Sequence, residues 1–157
     1  MGYFQDVVSE YLRANRATFI NTECCIQLNA GSPDSGHHWY CDAVAINLQQ
    51  QTVHLCEITY AKKPSALTTR LRAWSSHWDG ILTALERDCG IQPAWSVKPW
   101  VFILREVIKP FEHSLDGIMT GTKMPRPDVT ALEDVVPWKY PSWDRKIAEK
   151  QPPKQED

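Results

Sequence analysis

No apolar run in the 157-residue sequence is long enough to cross a bilayer. Its first residues, Met-Gly-Tyr-Phe-Gln-Asp, lack the basic stretch and apolar core of an export signal, so a cytoplasmic protein is expected. Neither sign of charge is in excess. A formal net charge of −2 excludes a general attraction to nucleic acid or membrane and confines any basic surface to a local patch. Glycine is sparse, and no Gly-rich phosphate cradle or dinucleotide fingerprint occurs. The five cysteines are odd in number, with Cys24 beside Cys25 and most of them in strand-like apolar runs. That pattern disfavours a disulfide framework and predicts buried free thiols in a reducing compartment. Together with His37, His38 and His54 they match no closed zinc spacing. Ser76-His77-Trp78-Asp79 is no catalytic triad, because helix neighbours one residue apart do not face each other.

What is present is a chain of ordinary globular composition, long enough to bury a sizeable core as one domain. Phe4, Val7, Val8, Tyr11 and Leu12 recur at helical spacing and predict a helix over 3–16. Strands are expected over 22–28, 39–48, 52–60 and 95–105, from their β-branched residues and alternation. Pro99 marks the last of these as an edge strand or a late start. Between the third and fourth strands, Leu67, Leu71, Trp74, Trp78, Ile81, Leu82 and Leu85 form one helical stripe, closed by Gly90 in a left-handed cap. Trp74 and Trp78 lie on that stripe and are expected in the core. A short helix follows over 111–118. Six of the eleven prolines then fall between Pro125 and Pro153, which predicts no further regular element. Residues 1–120 are read as an α/β domain with a mixed central sheet flanked by helices. Residues 121–146, with Trp138, Tyr140 and Trp143, are read as an extension packing on it, and 147–157 as a disordered tail.

The chemistry concentrates in the hairpin CDAVAINLQQQTVHLCEITYAKK, residues 41–63. If the two strands fold about the Gln49–Gln50 midpoint, Asp42 faces Glu57, Val44 faces Leu55 and Ile46 faces Val53, all on one side of the sheet. A four-residue loop over 48–51 keeps that register, whereas three or five residues would send the two acids to opposite faces. Directly opposed Cβ atoms lie about 4.5–5.5 Å apart, so two ionised carboxylates there repel. A divalent cation resolves the repulsion: Mg²⁺ takes oxygen ligands, commonly one or two carboxylates plus waters. The backbone carbonyl of Ile58 is a further oxygen within the same turn of chain. Against this stands the plainer reading, two strand-end acids that are solvated or paired with Lys or Arg.

A helix carrying an acid, a hairpin with Asp on one strand and Glu on the next, then a helix and a strand: this order, over residues 3–105, resembles the PD-(D/E)xK (restriction-endonuclease-like) nuclease superfamily. The resemblance implies an αβββαβ core and a Mg²⁺- or Mn²⁺-dependent nuclease hydrolysing phosphodiester bonds in DNA. It assigns the metal to Asp42 and Glu57, with Glu10 as the first-helix acid. The family's lysine, two residues after the Glu, is replaced here by Thr59, which can hold a water but brings no charge. Displaced lysines are known in the superfamily. Lys62 lies roughly 16 Å further along an extended strand and can serve only if the chain turns back near Pro64. Lys62, Lys63, Arg70 and Arg72, four bases with no acid between Lys62 and Trp78, are candidates for contact with a nucleic-acid backbone; a solvated helix face is the alternative. The loss of the lysine leaves open a catalytically inactive nuclease-fold module that binds nucleic acid or protein. A homodimer or protein partner would then engage the C-terminal extension. A regulatory α/β protein with ordinary surface acids is a third possibility.

Overall fold

The computed structural model describes residues 2–31 and 37–135. Helix α1 (Tyr3–Arg13) is followed by strands β1 (Thr18–Gln27), β2 (His38–Asn47) and β3 (Thr52–Ile58). Helices α2 (Ser65–Ser76) and α3 (Trp78–Cys89) lead to β4 (Ser96–Ile103), α4 (Arg105–Ile118) and β5 (Asp128–Ala131), with a 3₁₀ turn over Leu132–Asp134. The five strands form one mixed sheet in sequential order, β1-β2-β3-β4-β5. β2 runs antiparallel to β1 and β3, while β3, β4 and β5 run parallel. The helices that carry the chain from β3 to β4 and from β4 to β5 are therefore needed to bring each strand back to its starting edge.

α1 stops three residues earlier than the apolar spacing predicts. The side-chain oxygen of Asn15 accepts the Ala17 N–H at 2.9 Å, and this local turn competes with further helix. The long stripe is broken at His77 into two helices, yet Leu67, Leu71, Trp74, Trp78, Ile81 and Leu85 are all buried. The break bends the stripe so that both halves stay on the sheet. Gly80 allows the close approach, since a Cβ there would lie 2.9 Å from Leu28. Gly90 ends α3 at φ 69°, the left-handed conformation that glycine adopts without cost. The last helix begins at Arg105, earlier than the predicted 111, and tolerates Pro110 in its second turn.

The proline-dense stretch is corrected at one point. Pro125 and Pro127 precede β5 without interrupting it, and Val129-Thr130 supply the β-branched residues of a fifth strand. Met124, Leu132 and Val135 are buried against the same body. Pro99 sits within β4, but β5 pairing starts only at Trp100 opposite Asp128, so one side of β4 is open at the proline. Trp138, Tyr140, Trp143 and the 147–157 segment lie outside the described residues.

Two cores result. On one sheet face Val44, Val53 and Leu55 pack with α2, α3 and α4; on the other Ala43, Ala45 and Cys56 pack with Val8 and Leu12 of α1. Among the described residues Cys24, Cys41 and Cys56 are buried free thiols, and Cys89 is an exposed one. No helix is long and apolar enough to cross a membrane among them.

Candidate metal and phosphate site

The loop between β2 and β3 is four residues long, and Val44 pairs with Leu55 and Ile46 with Val53. Gln51 takes the left-handed position at φ 55°, and Asn47 Oδ1 accepts the Gln50 N–H at 2.8 Å. A side-chain turn of this kind does what Asn-Gly does in a tighter hairpin. The paired residues end at Ala43 and Cys56; the next residues out, Asp42 and Glu57, line one cavity together with Leu67 and Arg70 of α2.

The two acids have different surroundings. Asp42 is half-buried; its Oδ2 accepts the Ile58 N–H at 2.8 Å and its Oδ1 accepts Gln5 Nε2 at 2.8 Å. Glu57 is 5 % exposed, on the central strand of the sheet. Its Oε1 accepts from Arg70 Nη1 at 2.6 Å, and the same Nη1 donates to the Tyr40 carbonyl at 2.9 Å. Burial, reinforced by the nearby Asp42 charge, pushes the Glu57 carboxyl up to about 8; Arg70 opposes both and is outweighed. Two carboxyl groups thus share one guanidinium. When both ionise, the site carries an uncompensated negative charge, the condition that a bound cation relieves.

A cavity of about 320 Å³ opens in front of the pair, edged by Thr59, Lys63, Ser65 and Arg70. The chain does turn back after β3: the Thr59 N–H donates to the Phe102 carbonyl, Thr59 Oγ1 accepts the Ala61 N–H at 3.2 Å, and the Ser65 N–H bonds to the Lys63 carbonyl. This turn brings Lys63, rather than Lys62, to the cavity. Lys62 and Arg72 are exposed and do not line it. Glu10 is exposed and paired with Arg13 at 3.2 Å, so the first-helix residue reaching the site is Gln5.

Gln5 was not signalled by the sequence, whereas the Glu57–Arg70 pair is the plainer alternative raised there, an acid paired with a base, with the partner now identified. Gln5 is one polar residue on a helix. Arg70 is legible as a base on α2, but its partner depends on how that helix crosses the sheet. Glu23 is a further unforeseen feature. It lies beside Asp42 on β1 with φ 51°, and the β1–β2 pairing skips that position. A glutamate in the left-handed region is uncommon and stores strain next to the acids.

Among the described residues no group of three or more His, Cys, Asp or Glu side chains is placed to hold a metal. The donor set fits a smaller claim. Two hard carboxylates and the Ile58 carbonyl are oxygen ligands suited to Mg²⁺ or Mn²⁺ with water completing the shell. Comparison with family models, with curated proteins and with solved structures yields no match to this chain.

Proposed function

We propose that this protein is a Mg²⁺- or Mn²⁺-dependent nuclease of restriction-endonuclease-like fold that hydrolyses phosphodiester bonds in DNA. The observation that carries the reading is the convergence of Asp42 and Glu57 on one cavity edged by Lys63 and Arg70. The element order supports it, since α1, β1–β3, α2 with α3, and β4 follow an αβββαβ plan with the second helix split. Asp42 and Glu57 would hold the ion, with the Ile58 carbonyl beside them. The bound ion would polarise the phosphate and lower the pKa of a water. Gln5 and the Ile58 N–H fix the Asp42 carboxylate in one orientation. Thr59 offers a hydroxyl to orient water, and Lys63 supplies the positive charge that the strand position lacks. Arg70, which edges the same cavity, would face a phosphate oxygen, a group that a guanidinium suits well.

One specific observation favours a second reading. Arg70 already occupies Glu57 Oε1 at 2.6 Å, and Thr59 replaces the lysine, as suits a nuclease-fold module that binds nucleic acid without cutting it. Purified protein incubated with linear and supercoiled DNA and Mg²⁺ or Mn²⁺ separates the two. The nuclease reading expects cleavage that disappears in Asp42→Ala; retarded but intact DNA supports the binding module. Neither retardation nor cleavage overturns both.

A further inference from the structure

A second cleft lies on the other face of the sheet, under α1, and the Asp42–Glu57 site makes no use of it. It encloses about 520 Å³, room for a ligand of nucleoside size. Its back wall is Trp100, held rigidly from several directions. The indole N–H donates to Thr130 Oγ1 at 2.9 Å, Phe102 stacks at 4.8 Å and 31°, and the His54 ring meets it at 4.9 Å. A flat ring fixed in advance is a stacking platform that loses little freedom when a second ring arrives.

The cleft is electrically quiet. Asp128 is the one acid among the described residues that line it, and that carboxylate is already engaged by Lys98 at 2.7 Å and by His54 Nε2 at 3.5 Å. Burial draws the His54 pKa below its ordinary 6.5 against the pull of Asp128, so the contact is made by a neutral imidazole. Among the described residues no lysine or arginine lines the space, which disfavours a phosphate group there. One polar atom is left over. Thr52 borders the cleft, and its Oγ1, buried just beneath the surface, has no hydrogen-bond partner among the described residues; the χ1 rotation that exchanges Oγ1 with the methyl group would present it to a ligand. A buried hydroxyl without a partner costs free energy unless something supplies one. The Gln50 side chain lies at the rim, so the edge of the cleft is an amide.

We infer that this cleft binds a neutral, planar heteroaromatic ligand with a hydrogen-bonding edge, a nucleobase, stacked on Trp100 and bonded to Thr52. The base comes either as a free nucleoside or from a single strand whose phosphates stay outside. The inference is independent of the nuclease reading, because the two sites are on opposite faces.

Calorimetric titration of the full chain with adenosine, guanosine, cytidine and uridine tests it. At least one nucleoside is expected to bind with a Kd on the order of 0.1 mM, ordinary for a ligand of this size. Ribose is expected not to bind, and the matching 5′-monophosphate to bind no more tightly. Thr52→Val, nearly isosteric, should weaken the nucleoside about tenfold, and Trp100→Leu, accepted if its Tm stays cooperative, should weaken it further. Asp42→Ala should bind as the native chain does, even if DNA cleavage proves absent throughout. Displacement of the nucleoside by a short single-stranded oligonucleotide assigns the base to a strand; failure to displace assigns it to a free nucleoside. Absence of binding by all four nucleosides at millimolar concentration, ribose binding as well as the nucleoside, or binding unchanged in Thr52→Val overturns the inference.

Discussion

Glu57 is the residue on which the site turns, because it is held where its charge is disfavoured. In metal-free protein its carboxyl titrates near 8, against an ordinary 4.5. The folded chain therefore keeps a proton that the unfolded chain releases. Stability from this source is fully present below about 4.5, declines as pH rises towards 8, and is flat beyond. The scale is about 1.4 kcal/mol for each pH unit between the two values. Denaturant unfolding in EDTA at pH 5 and pH 8 should show this fall, and Glu57→Gln should remove most of it. Thr59 is the second decisive position. On the proposed nuclease reading, Thr59→Lys would supply a charge at the cavity and should raise Mg²⁺-dependent cleavage by about 10². Unchanged turnover would mean that Lys63 already fills the role or that the cavity performs no chemistry.

The hairpin shows how much an element can determine. Its loop carries three glutamines, a poor choice for a tight turn, and works through Asn47 accepting from Gln50 and Gln51 adopting φ 55°. Asn47→Ala should cost about 1 kcal/mol by leaving the Gln50 N–H without its acceptor. Gln51→Gly should stabilise by roughly 0.5–1 kcal/mol, since only glycine takes that conformation freely. Thermal unfolding of both variants checks the pair of signs. The pairing of Val44 with Leu55 and of Ile46 with Val53 was legible because side-chain alternation along paired strands leaves one arrangement once the loop length is given. The stripe from Leu67 to Leu85 was legible as buried for the same kind of reason. The break at His77 was not, since apolar spacing continues through it and the bend answers to the sheet beneath. β5 was hidden by its flanking prolines and its four-residue length. Gln5 as a partner of Asp42, and the choice of Arg70 as the base that pairs with Glu57, were not legible, because helix-to-strand contacts depend on packing angles that no local pattern encodes.

At the scale of the whole molecule, a net charge of −2 gives nucleic acid no general welcome. On the proposed reading, affinity would come from the segment around α2, where Lys62, Lys63 and Arg72 are exposed and Arg70 reaches the cavity. Replacing Lys62, Lys63 and Arg72 together by Gln should weaken DNA binding alike for all sequences. It should also flatten the dependence of log K on log salt by about 0.9 for each phosphate no longer neutralised. A slope that does not change would place the DNA elsewhere on the protein. The sheet separates this surface from the cleft under α1, so phosphate and base chemistry are assigned to different faces of one body. The claim beneath the nuclease reading is that Asp42 and Glu57 form a single cation site, and Mn²⁺ titration of the metal-free chain followed by electron paramagnetic resonance tests it most directly. One tightly held ion per chain, lost in both Asp42→Asn and Glu57→Gln, is the predicted result; no bound ion, or binding that survives both substitutions, would contradict it.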